Sequence, residues 1–286
     1  MNNELKEEKK KNKGLVVVIV LLVIALVGMG GYIAYDKGYL SFGKKETKEE
    51  NNNKETTTKE SKSKTEELDV ESSEVQDLYY NANNHGVLGI DETMYKATEL
   101  KVSDMDDNYK MQVAYNLFKK DIKEKNEGTY TIETVSEDSV KTAFEKIFGK
   151  DTYKQVEDFK LHSCATYKYN SANKVYEAIT GGCGGTTAFS VVATPIKATK
   201  YEDRIEITSG VVFIDAETKA LYKDYGKTSK IKDLTDDELT NTLGNTYETK
   251  FTSYIKENTD KVGQYTYTFK LADDGSYYYT GVKNTK

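Results

Sequence analysis

The chain has 286 residues, of which 37% are hydrophobic and 31% charged, and its net charge is −6. This length accommodates one large domain, or two small ones, together with flanking segments. Residues 1–67 contain 13 lysines and 11 acidic residues, so the remaining residues carry a net charge of −8. An acidic domain without a basic stripe repels phosphate groups, and the charge therefore argues against nucleic acid as a partner.

An apolar run without any charge covers residues 15–34. A helix of these 20 residues spans about 30 Å, the thickness of the hydrocarbon core of a bilayer. The apolar region of a signal peptide is shorter, about 7–15 residues, and ends in a small-x-small cleavage site. The sequence from Tyr32 to Tyr35 does not provide such a site. We therefore expect an uncleaved transmembrane helix at residues 15–35, which makes the membrane a predicted partner.

The flanks of this run suggest its orientation. Five lysines precede the helix and four follow it, a modest bias that favours a cytoplasmic N-terminus. The only cysteines are Cys164 and Cys183, so no cysteine near the apolar run is available for lipid attachment. We predict a single-pass protein of the cell membrane, with residues 1–14 as a cytoplasmic tail and the C-terminal domain outside the cell.

A polar segment follows the apolar run. Residues 44–73 consist largely of Lys, Glu, Asn, Thr and Ser. Such a composition buries too little apolar surface to offset the entropy lost on folding. The sequence therefore predicts a disordered polar stalk at residues 36–73 and an extracytoplasmic domain at residues 74–286.

The first half of the domain is predicted to be mainly helical. Short helical spacing is found at residues 75–79, an extended segment at 98–103 and a longer helix at 105–119. The strongest helix prediction is Glu137–Phe148, with Ser136 as its N-cap and Gly149 at its C-terminal end. Its apolar side chains have the spacing of one buried stripe.

The second half is predicted to be mainly extended. Strands are predicted at residues 159–169, 175–180, 187–199, 203–214 and 220–225, helices at 234–243 and 247–257, and a closing hairpin at 265–271 and 277–282. The Asp274-Gly275 pair between the last two strands is a strong hairpin signal. Helices followed by a long antiparallel meander predict the α+β class, with helices packed on one face of a curved antiparallel sheet.

This order of elements resembles that of cystatin-like and NTF2-like domains at the level of architecture. Four pieces of sequence, together with the anchor and the stalk, also resemble N-terminally anchored extracytoplasmic proteins of low-GC Gram-positive bacteria. These pieces are Lys146-Ile147-Phe148-Gly149, Cys164-Ala165-Thr166-Tyr167, Gly181-Gly182-Cys183-Gly184-Gly185 and Tyr265-Thr266-Tyr267-Thr268-Phe269. The resemblance implies a location at the cell envelope and no particular activity.

The two cysteines are the residues with the clearest chemical meaning. Two cysteines in an extracytoplasmic domain favour a disulfide between Cys164 and Cys183. If the turn after residue 169 is centred on residues 170–173, Cys164 lies opposite Ile179. Gly181 and Gly182 are flexible enough to bring Cys183 back towards it.

An enzymatic alternative gives Cys183 the role of a nucleophile, with His162 or His85 as base and Arg204 as the group that stabilises the oxyanion. The corresponding class would be a cysteine transpeptidase of the sortase type. Sortases carry a Thr-Leu-x-Thr-Cys strand, whereas Ile179-Thr180-Gly181-Gly182-Cys183 stands here.

Other ligand motifs are incomplete, and we predict neither a metal nor a cofactor. Two histidines and two cysteines would need an unusual assembly to bind zinc. The glycines at 181–185 lack the Gly-Lys-Ser/Thr ending of a phosphate loop. The acidic run at 104–108 lacks the central glycine and final glutamate of a calcium loop, and it fits the first turn of a helix better.

The anchor, stalk and domain without a catalytic signature favour a non-catalytic binding or interaction module at the bacterial cell surface. Its partner would be an envelope component or another protein. The alternatives are an envelope enzyme and a transmembrane sensor. Because the predicted tail of 14 residues is too short for a signalling domain, a sensor would need a partner in the membrane.

Overall fold

A computed structural model describes residues 65–83, 90–162, 165–180, 189–240 and 246–286. The α-helices in these ranges are α1 (Ser73–Ala82), α2 (Ile90–Lys96), α3 (Asp107–Phe118), α4 (Glu137–Phe148), α5 (Asp236–Leu239) and α6 (Tyr247–Glu257). The strands are β1 (Glu66–Leu68), β2 (Glu99–Lys101), β3 (Lys123–Glu127), β4 (Tyr130–Ser136), β5 (Asp158–His162), β6 (Ala165–Asn170), β7 (Val175–Thr180), β8 (Phe189–Lys200), β9 (Arg204–Asp215), β10 (Ala220–Tyr222), β11 (Lys230–Asp233), β12 (Gly263–Leu271) and β13 (Tyr277–Asn284).

These strands form two antiparallel sheets, which confirms the α+β class. The first sheet has the order β1-β8-β9-β12-β13-β2, with β10 paired to β9 and β11 to β10. The second sheet has the order β3-β4-β7-β6-β5. Helix α4 contacts β4 of the second sheet and β13 of the first, while α1 contacts β8 and β13. The main core lies between the two sheets and includes apolar side chains of α1, α3 and α4.

Strand β9 contributes to two cores because both of its faces are covered along its second half. Ile205, Ile207, Val211 and Phe213 alternate along the face that lies in the main core. On the other face, Val212 and Ile214 join a smaller core with Phe251 and Ile255 of α6 and with nearby apolar side chains. The two-residue period of a strand explains this division of side chains between faces.

Helix α4 forms as the sequence predicts, with the same bounds. The Ser136 hydroxyl accepts a hydrogen bond from the Ser139 amide at 3.1 Å, which satisfies one of the unpaired amides of the first turn. Val140, Phe144 and Ile147 are among its buried side chains. Gly149 follows with a φ of 100°, a conformation that glycine adopts without strain.

Several other predicted elements are confirmed with small changes in their bounds. Helices α1, α3 and α6, strands β7, β8 and β9, and the hairpin of β12 and β13 all lie where they were expected. The predicted extended segment at 98–103 is shorter, because β2 ends at Lys101 and a 3-10 turn follows. The strand predicted at 220–225 ends at Tyr222, and within the described part of 234–243 only Asp236–Leu239 is α-helical.

The predicted strand at 159–169 is wrong, because the chain reverses within it and forms β5 and β6. These two strands pair with each other, with Phe159 opposite Tyr167. The predicted register of the next hairpin is wrong as well. Placing Cys164 opposite Ile179 requires Lys168 opposite Val175, whereas Lys168 pairs with Glu177. The turn occupies residues 171–174, one position later than predicted.

The prediction of a single curved sheet is also wrong, because the strands form two sheets with helices between them. The folded part begins before residue 74, because Glu66–Leu68 pair with β8 and Ser72 caps α1. An edge strand is held by backbone hydrogen bonds and needs few apolar side chains, so the composition of this segment did not reveal it. Leu68 and Val70 nevertheless pack against the main core.

None of the helices within the described ranges is both long and apolar enough to cross a membrane. The predicted tail, the transmembrane helix at 15–35 and residues 36–64 of the predicted stalk lie outside those ranges.

Candidate functional site

A groove of about 930 Å³ opens between α1, the C-terminal end of α4 and the hairpin of β12 and β13. We call it the α1–α4 groove. Its floor includes Ala82, Ile147, Phe148 and Phe269, which are all buried. The remaining lining residues are Asp77, Leu78, Asn81, Glu145, Lys146, Gly149, Lys150, Thr152, Leu271, Ala272, Asp273, Asp274, Ser276, Tyr277 and Tyr278.

Helix α1 forms one wall because its opposite face is fixed to the first sheet. Val75 and Tyr79 are fully buried. The Tyr79 hydroxyl is hydrogen-bonded to the Ser209 hydroxyl at 2.7 Å, and its ring meets Tyr267 edge to face with centroids 5.2 Å apart. Residues spaced by four on a helix share a face, so Asp77 is aligned with Asn81 along the groove.

The C-terminal end of α4 forms a second wall. The Gly149 amide donates to the Glu145 carbonyl at 2.9 Å, and the Thr152 hydroxyl donates to the Gly149 carbonyl at 2.5 Å. A Cβ at Gly149 would lie 3.4 Å from Cγ of Tyr278. A Cβ would therefore be in contact with Tyr278, and the positive φ rather than a clash favours glycine at this position.

The hairpin forms the third wall and carries the exposed apolar side chain of this site. Leu271 is 40% exposed, whereas the apolar side chains that precede it in β12, those of Tyr265, Tyr267 and Phe269, are buried. Asp274 accepts hydrogen bonds from the Ser276 hydroxyl at 2.6 Å and the Ser276 amide at 2.9 Å. These bonds lower the pKa of the Asp274 carboxyl, and the positive charge of Lys150 adds to the effect.

Charged side chains surround the apolar floor. Carboxylates come from all three walls, whereas the two lysines, Lys146 and Lys150, come from the end of α4 alone. Within the described ranges, the side chains of Asp77, Glu145 and Asp273 make no hydrogen bond or ion pair. The groove therefore offers apolar surface together with carboxylates that are free to bind a ligand.

A smaller groove of about 260 Å³ lies between the end of α3 and α4. It is lined by Leu117, Lys120, Asp121, Asp138, Ser139, Thr142, Ala143 and Lys146. Lys146 lines both grooves. The smaller groove is too small for more than part of a ligand, since ligand pockets commonly occupy about 300–1,000 Å³.

A network of side-chain hydrogen bonds joins three strands of the second sheet. Glu133 of β4 accepts hydrogen bonds from the Tyr167 hydroxyl and from the Thr180 hydroxyl, the latter at 3.1 Å. Burial and the bond to Glu133 raise the pKa of Tyr167 well above its ordinary value. Tyr167 therefore remains a hydrogen-bond donor that links β6 to β4, and Thr180 links β7 to the same carboxylate, so these groups have a structural role.

The residues of the enzymatic alternative are only partly described. Cys164, Cys183, His85 and the side chain of His162 lie outside the described residues. Arg204 is described and is already engaged. It donates to Glu206 at 2.7 Å and to Asp203 at 2.9 Å, and its guanidinium lies 3.9 Å from the ring centroid of Tyr201.

These hydrogen bonds raise the pKa of Arg204, the bond to Glu206 contributing most. Arg204 therefore has partners of its own and does not support the role of an oxyanion stabiliser.

The acidic run at 104–108 forms a helix start, as predicted. The Asp106 carboxylate caps α3 by accepting a hydrogen bond from the Tyr109 amide at 2.7 Å. Across the part of the chain that the structure describes, no group of three or more His, Cys, Asp or Glu side chains is arranged to hold a metal ion.

Sequence reasoning did not find the α1–α4 groove. Two local signals point to it in retrospect. Leu78 lies in the predicted helical segment at 75–79, yet it is only half-buried, and Tyr277 and Tyr278 are partly exposed while Tyr279 is buried. Neither signal identifies a groove without the packing of α1, α4 and the hairpin against one another.

Comparisons of the chain with protein-family models, with curated proteins and with solved structures found no match. The resemblances to anchored envelope proteins and to cystatin-like or NTF2-like domains therefore stay predictions.

Proposed function

We propose that this chain is a membrane-anchored extracytoplasmic binding module, without catalytic activity, that holds an envelope component or a protein partner in the α1–α4 groove. The observation that carries the proposal is the combination of an apolar floor with unpaired carboxylates on all three walls of one groove. A volume of about 930 Å³ suits a ligand of substantial size. The lining residues are suited to binding, since they contain apolar, aromatic, amide, hydroxyl and charged side chains.

The sequence supports the location of this module. The uncharged run at 15–34 has the length of a transmembrane helix, and the lysine bias favours a cytoplasmic N-terminus. The polar composition of the residues between the run and β1 supports a tether in this proposal. A flexible coil of about 30 residues has a root-mean-square reach of roughly 30 Å.

The proposed disulfide gains support from the pairing of β6 and β7. These strands are antiparallel neighbours, so the start of β6 and the end of β7 lie at the same end of the pair. Cys164 immediately precedes β6, and Cys183 follows the end of β7 by three positions in the sequence. A disulfide that closes a loop of about 20 residues stabilises a domain by about 3 kcal/mol in the chain-entropy model.

The function is tested by weakening the groove without changing its charge. Leu271→Gln replaces the partly exposed apolar side chain of the hairpin by a polar one of similar size. Ile179→Gln is the matched control, because Ile179 is 67% exposed and lies in the second sheet. The assay is cosedimentation of the full chain, in detergent, with cell-envelope fragments from the source organism.

We expect the wild-type chain and Ile179→Gln to sediment equally. Leu271→Gln should lose about 1 kcal/mol of binding free energy, roughly a fivefold loss of affinity, because partly exposed leucine surface no longer contributes on binding. Equal binding by Leu271→Gln and the wild type would contradict the proposal, as would the absence of binding by the wild-type chain.

A further inference from the structure

We infer that the α1–α4 groove binds a basic peptide segment that carries apolar side chains between its positive charges. This inference rests on the proposed function and adds the chemical class of the partner. It follows from the charge of the groove, from its apolar surface and from the composition of the chain that precedes the fold.

The charge of the groove favours a cation. Four carboxylates line it (Asp77, Glu145, Asp273 and Asp274), against two lysines. Asp77 of α1 and the two aspartates of the hairpin contribute three negative charges, whereas the two lysines and Glu145, at the end of α4 and its following turn, contribute one net positive charge. Charge complementarity of this kind raises the association rate and rejects partners of like charge.

The end of α4 carries charges of both signs. This helix has 12 residues, and its C-terminal end lies at the groove. The carbonyl groups at the C-terminus of a helix carry a partial negative charge that attracts cations within the last turn. Lys146 and Lys150 together balance this partial charge and that of Glu145, so the negative charge that favours a cation lies on α1 and the hairpin, from which no lysine lines the groove.

The apolar surface of the groove favours a ligand that carries apolar side chains as well as charge. Leu78 and Leu271 line the groove from two different walls, and the tyrosines at 277 and 278 add aromatic surface. Aromatic faces attract ammonium and guanidinium groups. Tyr277 already does so, since Nζ of Lys200 lies 5.7 Å from its ring centroid. Lysine or arginine next to leucine or an aromatic residue would satisfy both kinds of surface.

The segment that precedes the fold does not have this composition. Residues 44–64 contain lysines but no apolar side chain. The chain then enters the first sheet at Glu66, which pairs with Lys200. If this segment occupied the groove, Leu78 and Leu271 would stay uncovered, so the structure favours a separate chain. A neutral glycan would donate hydroxyl hydrogen bonds to Asp77, Glu145 and Asp273, but it would bring no positive charge to balance them.

The test uses the full chain in nanodiscs of zwitterionic lipid and a fluorescent ten-residue peptide in which lysine alternates with leucine and tyrosine. One control peptide replaces lysine by glutamate, and another replaces leucine and tyrosine by serine. Empty nanodiscs report binding to the lipid. We expect the basic apolar peptide to bind at least tenfold more tightly than either control, with an affinity that falls as salt is added.

The charge is tested with the triple variant Asp77→Asn, Glu145→Gln, Asp273→Asn. Its matched control is the triple variant Glu124→Gln, Asp158→Asn, Asp260→Asn, which removes three exposed carboxylates outside the groove. The groove variant should weaken peptide binding fivefold or more and flatten its salt dependence, while the control variant should bind as the wild type does. Equal binding by the two triple variants would overturn the inference.

Three further outcomes would also overturn it. The peptide could fail to bind although Leu271→Gln weakens binding to envelope fragments as expected, in which case the ligand class is wrong and the proposed function stands. Peptide binding that emerges only after lysines 54, 59, 62 and 64 are replaced by glutamine would show that the chain's own segment fills the groove. Protease-treated envelope glycan that competes for the groove would identify a glycan ligand instead.

Discussion

The contact of α6 with the first sheet depends on the absence of a side chain at Gly210. A Cβ at this position would lie 2.4 Å from Cγ2 of Ile255, 3.2 Å from Cγ2 of Ile196 and 3.3 Å from Cγ2 of Val262. The first distance is far below van der Waals contact, so Gly210→Ala must displace Ile255 and with it the helix. Adding a methylene-sized group to a packed core costs about 1–3 kcal/mol. We expect a loss of about 2 kcal/mol.

The contact between Gly210 and Ile255 is tested by a double-mutant cycle with Ile255→Ala, which removes the clashing methyl group. Ile255→Ala alone should cost about 3 kcal/mol, because Ile255 is fully buried. In the double variant the methyl group of residue 210 enters the vacated space. We therefore expect the double variant to be about as stable as Ile255→Ala alone, with a coupling of about 2 kcal/mol.

The assay is urea unfolding of the full chain in detergent, followed by circular dichroism. Gly226→Ala is the control, because a Cβ there would lie no closer than 3.3 Å to a neighbouring atom, the carboxylate oxygen of Asp224. The control should change the free energy of unfolding by less than about 0.5 kcal/mol. Additive costs for Gly210→Ala and Ile255→Ala would refute the proposed packing of α6.

Three further changes have expected outcomes. Tyr79→Phe removes the buried hydrogen bond to Ser209 and should lower the free energy of unfolding by about 1 kcal/mol, measured in urea. Asp215→Asn should lower the free energy of unfolding by about 1 kcal/mol at neutral pH. Because the hydrogen bond from Lys227 lowers the pKa of Asp215, this loss of stability relative to wild type should persist above about pH 4 and shrink as the pH falls below it. If Cys164 and Cys183 form the proposed disulfide, the chain unfolded without a reductant should contain no titratable thiol. Reduction should then lower the melting temperature of the folded chain. Two free thiols, or an unchanged melting temperature, would contradict the disulfide.

Elements with strong local signals could be predicted from the sequence. Helix α4 has a capping serine, one apolar stripe and a terminal glycine, and these features act within 14 residues of chain. The hairpin of β12 and β13 has alternating side chains around a turn in which Gly275 adopts a φ of 85°. Neither element needs information from distant parts of the chain.

The missed elements depend on distant partners or lack a local signal. Strand β3 has the sequence Lys-Glu-Lys-Asn-Glu, which contains no apolar side chain, and it is held by pairing with β4. The reversal between β5 and β6 keeps Phe159, Leu161, Ala165 and Tyr167 buried on one face. A continuous strand would give the same alternation, so periodicity alone could not detect the turn.

The α1–α4 groove could not be predicted for the same reason. Its three walls come from residues near 80, 147 and 272, which are brought together only by the packing of helices between the two sheets. The sequence predicted α1, α4 and the hairpin as separate elements. It did not show that Leu78 and Leu271 line the same groove.

The central claim is that the α1–α4 groove is the surface that meets a partner. The most direct test is photocrosslinking on intact cells, with benzoylphenylalanine placed at Leu78 in the groove or at Tyr130, which is 43% exposed on the second sheet. We predict that the chain labelled at position 78 forms a discrete crosslinked species and that the chain labelled at position 130 does not. A species that forms from position 130 alone, or from neither position, would contradict the claim.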